Sequence, residues 1–284
     1  MNKLEFISRQ FAKAETKKFE HYVVTRIWHL LNNSDVKIVT QQFVSRPNGR
    51  AMTDMYFPQI GVHIEVDEGF HKKQIDADKI READIINTTE HKLFRVDVTK
   101  SVEDIHFAID EIVSFIKIKV QNSIDFKPWD LDKEQNPQTY IEKGYIDLKD
   151  DVAFRTMVDA ANCFGLNIKP KGIWTGGAKH PIEPNTLIWF PKLYQNNKWN
   201  NRISGDDEII TEKNESEGEA KKHIKSVIEK APHTRITFAR VKSPLGDVMY
   251  RFKGKYQLDL EATSTNLGLV WKRIATRVKT YPSS

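Results

Sequence analysis

Asp54, Glu65, Asp67 and Glu68 fall within one short stretch, "DMYFPQIGVHIEVDEGFH", residues 54–71, together with His63 and His71. The apolar residues around them read as two buried strands, a setting in which charged groups resist desolvation. Side chains alternate along a strand, so Val62, Ile64 and Val66 share one face and His63, Glu65 and Asp67 the other. Glu65 and Asp67 then stand about 7 Å apart. Asp54 lies on the preceding strand, across the short connection "PQIG", within reach of the same point. Crowded carboxylates respond with a raised pKa or a bound cation. Hard oxygen ligands of this kind suit Mg²⁺, which keeps several waters and accepts one or two carboxylates plus a substrate phosphate. A cation so held activates water and steadies a phosphodiester under in-line attack. Asp54, Glu65 and Asp67 are therefore candidate metal ligands and catalytic carboxylates. An exposed sheet face with alternating charge is the plainer reading of the same spacing. Glu20, in "KKFEHY", lies beside an apolar helical stripe and could face the cluster; His71 follows the strand and titrates near neutral pH. Each is weighed against an ordinary surface position. Glu68 points away from the set, and His63 is read as a neighbour.

The elements that must position these groups follow from periodicity. Residues 15–31 place Phe19, Val23, Ile27, Leu30 and Leu31 on one helical face. "VKIVTQQFV" reads as a strand, and Asn48-Gly49 in "SRPNGRA" is a hairpin turn signal. "MTDMYF" and "GVHIEVDE" are the next strands, followed by a helix at "DADKIREADIINTT", a strand at "KLFRVDV" and a long amphipathic helix at "SVEDIHFAIDEIVSFIKIKV". The order α-β-β-β-α-β-α predicts a mixed sheet flanked by helices. From residue 121, "QNSIDFKPWDLDKEQNPQT" is polar, proline-bearing and aperiodic, which is the composition of a linker. Domains are expected at 1–121 and 141–284, joined by 122–140. The second half reads as short strands with one or two helices, so a curved β-sheet or partly open barrel is expected. Its segment "SGDDEIITEKNESEGEAKK" is charge-rich and reads as a mobile loop.

A length of 284 residues favours two domains over one. Apolar content of 39% with 29% charged residues fits a soluble, folded chain. No run reaches the roughly 20 apolar residues that span a bilayer, and the N-terminus lacks a secretory core, so no membrane partner and a cytoplasmic location are expected. The lone Cys163 excludes an internal disulfide and a cysteine-rich zinc site, and reads as a core residue. Charge is uneven: residues 1–130 carry 19 Lys and Arg against 20 Asp and Glu, whereas residues 231–284 carry 10 against 3. A basic region of this kind attracts a polyanion, nucleic acid first.

The Asp54–Glu65–Asp67 pattern inside this element order is similar to the PD-(D/E)xK nucleases. The longer blocks "KKFEHYVVTRIWHLL", "VTQQFV", "TDMYFPQIGVHIEVDEGFH" and "FRVDVTK" resemble the nuclease half of the AbaSI-type modified-cytosine-dependent restriction endonucleases, a Vsr-like PD-(D/E)xK domain. "NPQTYIEKGYIDL", "NTLIWFPKLYQNNKWNN", "RITFARVKSPLGDVMYRFKGKYQLDLE" and "WKRIATRVKT" continue the likeness through the second half. The resemblance implies an SRA-like C-terminal domain that flips a base and recognises 5-hydroxymethylcytosine or its glucosylated form. It also implies Mg²⁺-dependent cutting of double-stranded DNA at a distance, and a homodimer. The catalytic positions carried over are Asp54, Glu65 and Asp67, with Glu20 and His71 assisting. One departure stands out: Asp67 occupies the motif's lysine position, and a carboxylate cannot serve as an ammonium group.

A flipped base needs an aromatic platform and partners for its Watson–Crick edge. In "KWNNRISGDDEIITEK", Trp199 offers stacking, Asn201 an amide, and Glu212 an acceptor for the cytosine amino group; the family match places pocket residues at these three positions. Trp189, among apolar neighbours, reads as core. "MYRFKGKYQ" and "WKRIATRVK" set Arg251, Lys253, Lys255, Arg273 and Arg277 where they are expected to hold DNA phosphates. The sequence thus predicts a Mg²⁺-dependent, modification-dependent DNA endonuclease. A Vsr-like mismatch nickase and a non-cleaving reader of modified DNA are the alternatives.

Overall fold

The computed structural model describes residues 1–46, 49–69, 86, 89–169, 177–230, 232–241, 245 and 249–283. Two compact units divide the chain near residue 131, with a short piece at 243–246 grouped with the first.

In the first unit, α1 (Lys3–Ala12) opens with a capping box, in which Asn2 and Glu5 satisfy each other's backbone N–H groups. This helix was not anticipated from the sequence. α2 (Lys18–Leu31) buries Glu20, Val23, Val24, Ile27 and Leu31. Val23, Ile27 and Leu31 of the expected stripe are buried, but Phe19 is exposed, and Glu20 beside it holds an inward position. Four strands follow, β1 (Val39–Arg46), β2 (Gly49–Phe57), β3 (Val62–Asp67) and β4 (Lys92–Asp97), in the sheet order β1-β2-β3-β4. The first two joints are antiparallel, and β3 runs parallel to β4. The helix α3 (Val102–Asn122), capped by Ser101, packs Ile105, Ile109, Ile112, Val113 and Ile116 into the core. His71 and all of the helix expected at 76–89 except Ile86 and Thr89 lie outside the described residues.

Residues 122–140, read from composition as a connector, carry Trp129 and Leu131 into the core of the first unit. Trp129 packs against Phe6, with ring centroids 4.9 Å apart. Two indole-sized or branched side chains outweigh a polar average, because burial is decided residue by residue. Two short helices, α4 (Asp132–Gln135) and α5 (Gln138–Lys143), then begin the second unit.

That unit contains β5 (Tyr145–Asp147), β6 (Ala153–Phe154), α6 (Met157–Asn162), β7 (Ala178–Lys179), β8 (Thr186–Trp189), β9 (Gln195–Asn196), β10 (Trp199–Asn200), β11 (Arg202–Ile203) and β12 (Ile209–Glu212). α7 (Glu217–Lys230), β13 (Thr234–Ala239), β14 (Tyr250–Ser264), β15 (Gly268–Ala275) and β16 (Arg277–Lys279) complete it. The main sheet runs β11-β12-β15-β14-β13-β8-β7, with β6 added to β14. It is curved rather than closed into a barrel. Register shifts at Thr237/Phe238 and Lys255/Tyr256 mark the bends. Gly254 sits at one of them with φ +111, where a Cβ would come 2.8 Å from the Ala275 carbonyl, so only glycine fits.

The segment expected to be a mobile loop, 204–222, instead contributes β12 and the start of α7. Ile210 is fully buried, and β12 pairs with β15 from Ile209↔Lys272 to Glu212↔Leu269. Its charged residues lie around one alternating strand, which a composition average hides. Trp189 is buried beside Trp271, and Cys163 is buried, both as expected. Among the described residues, no helix is long and apolar enough to cross a membrane.

Ile64, next to Glu65 on β3, is fully buried. Ile64→Ala is expected to lower the unfolding free energy by roughly 2–5 kcal/mol in a denaturant titration, the usual range for a large-to-small core change.

Candidate functional site

The register of the first sheet brings its acidic residues together. β2 and β3 pair at Met55↔Ile64, so Asp54 and Glu65 stand one step further along adjacent strands. There the ladder gives way to a side chain: the Val66 backbone N–H donates to Asp54 Oδ2 at 2.8 Å. β3 pairs with β4 at Glu65↔Arg95, which puts Arg95 within reach of both acids on β3. Arg95 donates Nε and Nη2 to the two Asp67 oxygens, at 2.9 and 2.7 Å, and its Nη2 lies 3.5 Å from Glu65 Oε2. α2 brings Glu20 to the same place. A cleft of about 370 Å³ is lined by Lys17, Glu20, Gln41, Asp54, Glu65, Asp67 and Arg95, among others.

Glu20 is buried, and its charge is met from two sides. Lys17 Nζ lies 2.6 Å from Oε2 and Gln41 Nε2 2.5 Å from Oε1. Burial pushes the Glu20 carboxyl up to about 7; the Lys17 hydrogen bond pulls against this, and the Asp54 charge adds to it. Burial works to lower the Lys17 pKa, but Glu20, Asp54 and Glu68 outweigh it and hold that pKa above its usual value. Gln41 also donates to Asp54 Oδ1 at 3.3 Å. It does so from φ +52, a left-handed backbone that a non-glycine residue in a strand rarely adopts and that costs about 1–3 kcal/mol. The strain turns one amide towards both carboxylates.

Four of the five sequence-predicted catalytic residues, Glu20, Asp54, Glu65 and Asp67, thus share one cleft. His63 is buried elsewhere, its Nε2 3.1 Å from His91 Nδ1 and its ring stacked on Tyr56 at 4.2 Å. Among the described residues, no three His, Cys, Asp or Glu side chains cluster tightly enough to enclose a metal ion. The two carboxylates Asp54 and Glu65 still match what a hard cation takes from a protein when water and substrate oxygen complete its shell. Sequence reasoning missed Lys17, Gln41 and Arg95. Lys17 had a visible signal, a helix start three residues before Glu20; Gln41 and Arg95 depend on strand register and had none.

In the second unit, a cavity of about 570 Å³ is lined by Phe190, Lys192, Trp199, Asn201, Glu212 and Tyr250, among others. It gathers the three residues expected to hold a base. Trp199 is carried by the tight β9–β10 hairpin, whose residue Asn197 turns through φ +54. Asn201 is buried and accepts the Lys213 backbone N–H on Oδ1 at 3.3 Å. Glu212 ends β12.

The five cations assigned to DNA phosphates all meet carboxylates of their own unit. Arg251 lies 3.1 Å from Asp151, Lys253 2.8 Å from Asp207, Lys255 2.7 Å from Glu183, and Arg277 2.7 Å from Asp147; Arg273 pairs with Glu208. The acids come from loops and short elements that a count over the last 54 residues leaves out.

An acidic nuclease-type cleft on a mixed sheet and a curved sheet with an aromatic cavity define a two-part DNA-modifying class. Residues 4–118 match the N-terminal region of restriction endonuclease PvuRts1 I-like proteins, and residues 139–280 match the SET and RING associated (SRA) domain. Among solved structures the chain is similar to the 5-hydroxymethylcytosine-specific restriction enzyme AbaSI, at 42% identity over 99% of this chain and 98% of that one, with a TM-score of 0.62. The comparison with curated proteins found no match. The chain belongs to the PvuRts1 I-like restriction endonucleases that carry an SRA domain.

Gln41→Ala removes the amide shared by Glu20 and Asp54 without touching the sheet core. It is expected to lower the DNA cleavage rate about tenfold or more while leaving duplex affinity within about twofold, read by single-turnover kinetics and anisotropy.

Proposed function

We propose that this chain is a DNA endonuclease that captures a flipped 5-hydroxymethylcytosine, or its glucosylated form, in the second unit and hydrolyses a phosphodiester in the first. The observation that carries the reading is the cavity that joins Trp199, Asn201 and Glu212 within a chain that also holds the acidic cleft. An indole face, an amide and a carboxylate are the groups a cytosine out of the stack requires. The cavity volume of about 570 Å³ also leaves space for a 5-substituent larger than a methyl group. Functional boundaries follow as nuclease 1–121, connector 122–140 and base-binding domain 141–284.

Hydrolysis needs a water oxygen to bond to phosphorus as the leaving oxygen departs on the opposite side. A divalent cation, Mg²⁺ in this proposal, held by Asp54 and Glu65, supplies charge stabilisation and an activated water. Asp67 accepts one Arg95 N–H on each oxygen and keeps a lone pair on each, with which it could add a third carboxylate to that set. Lys17 supplies the ammonium charge that the sequence motif lacks at position 67. Its Nζ lies 3.8 Å from Asp54 Oδ1, where it can meet a non-bridging phosphate oxygen. Arg251, Lys253, Lys255, Arg273 and Arg277 hold phosphates by exchanging their carboxylate partners for them, and affinity then falls with salt. One cleft cuts one strand, so a double-strand break calls for a homodimer. The setting is the cytoplasm, and the role is restriction of DNA carrying modified cytosine.

Otherwise identical duplexes bearing cytosine, methylcytosine, hydroxymethylcytosine or its glucoside, incubated with Mg²⁺, test the whole reading. Cutting confined to the hydroxymethyl and glucosyl duplexes is expected and vanishes with chelator; equal cutting of all four would overturn it. Asp54→Ala is expected to reduce cutting by at least about a thousandfold and spare binding. Trp199→Ala is expected to weaken binding of the modified duplex by about tenfold or more, since one base–aromatic stack is worth roughly 1–3 kcal/mol.

A further inference from the structure

Two elements close in sequence, the β9–β10 hairpin and β12, bring Trp199 and Glu212 to the cavity, and a residue of α7 touches both. His223 Nε2 lies 3.1 Å from Glu212 Oε1. The same ring meets the Trp199 indole edge-on, at 4.8 Å between centroids. The other Glu212 oxygen accepts the Trp271 Nε1–H at 3.3 Å. Trp271 is fully buried on β15, and the Arg235 guanidinium of β13 lies over its ring, 4.4 Å from the centroid. Arg235 is itself buried and donates Nη1 to the Pro232 carbonyl. Burial pulls its pKa down to about 10 while the Glu212 charge pushes it up, so it stays a cation at neutral pH with Glu212 as the acid that favours it.

We propose that His223, Trp271 and Arg235 form a cradle that holds Glu212 as an oriented carboxylate, so that the pocket selects the exocyclic amino group of its base. This rests on the base-binding reading of the cavity and extends it to three positioning residues and a rule of specificity. Each Glu212 oxygen already accepts one N–H and keeps a lone pair for a further donor. A cytosine offers its N4–H₂ there. Asn201, whose Oδ1 is taken by the Lys213 N–H, keeps its Nδ2–H₂ for the cytosine acceptors N3 or O2. A uracil with the same 5-substituent presents O4, an acceptor, to a carboxylate that cannot donate, and the mismatch leaves buried polar groups unpaired. Without its donors, Glu212 can turn away, and the distinction fades. Arg235, over the Trp271 ring, adds a cation behind the indole that holds the carboxylate.

Fluorescence anisotropy with two duplexes that differ only in hydroxymethylcytosine against 5-hydroxymethyluracil at the target position tests the cradle. The wild-type chain is expected to prefer the cytosine duplex by about a hundredfold, and Glu212→Gln, whose amide can donate to O4, to lose or invert that preference. His223→Phe keeps a ring beside Trp199 but removes the donor, and is expected to reduce the preference about tenfold. His223→Gln restores an N–H and is expected to return it to within about threefold of wild type. Trp271→Phe removes the other donor from a different element and is expected to act like His223→Phe. If the folded His223→Phe and Trp271→Phe proteins discriminate as wild type while Glu212→Gln does not, the cradle is wrong and the base-binding reading stands. If Glu212→Gln binds and discriminates as wild type, the base-binding reading itself falls.

Discussion

A carboxylate removed from water must be met by donors or give up its charge, and that requirement organises both halves of this chain. In the first unit Glu20, Asp54, Glu65 and Asp67 gather around one cleft. Left alone they would repel one another. Lys17, Gln41, the Val66 N–H and Arg95 divide the load among them, each reaching between one and three oxygens. The donors come from a helix start, an irregular residue in β1, the backbone of β3 and a side chain of β4. No single element could supply them, so the cleft exists only when the sheet is assembled in register. This also explains how the chain tolerates Asp67 where the motif expects lysine. Arg95 neutralises that aspartate, and Lys17 brings an ammonium group to the cleft from α2.

The second unit solves the same problem for one acid. Glu212 is fixed by an imidazole and an indole, with a buried guanidinium beyond the indole. Here the imidazole and the indole each take one oxygen. In the cleft, by contrast, Lys17 and Arg95 bring ammonium and guanidinium groups directly onto Glu20 and Asp67, beside the neutral donors Gln41 and the Val66 N–H. The two arrangements match the two tasks assigned to them: recognition of a neutral base edge and hydrolysis of an anion.

Much of this was legible in the sequence, and the limits have physical causes. Alternation along "VHIEVDE" placed Glu65 and Asp67 on one face because a strand's period is fixed by covalent geometry. The mixed sheet, its flanking helices and the curved second sheet followed from periodicity together with the family resemblance. In α2 one position of the stripe was misread: Phe19 looked like an inward group, yet it is exposed and Glu20 beside it is buried. Hydrophobicity alone cannot foresee that a glutamate will find a lysine and an amide waiting. The stretch 204–222 failed for the opposite reason. Its charge density masked Ile210, one buried side chain that fixes β12 in the sheet. Within 122–140, read as a connector, Trp129 and Leu131 are likewise buried side chains that a polar average hides.

The basic C-terminal region shows why charge counts over a sequence window overstate an electrostatic surface. Its five chosen cations lie on β14, β15 and β16, and each faces an acid from another part of the unit. Asp207 and Glu208, from the turn between β11 and β12, take Lys253 and Arg273. Asp207 does so beside the Tyr256 hydroxyl, which donates to its carbonyl. A window that begins at residue 231 omits every one of these acids, although the fold returns them to the strands. The Arg251–Asp151 pair is exposed and contributes little to stability, because water already solvates both partners. Lys253, Lys255 and Arg273 are more enclosed, with side chains 19%, 25% and 10% exposed, so their acids are held against the sheet. Each paired charge contributes little field beyond its own surroundings, so the fold weakens attraction at a distance around these strands.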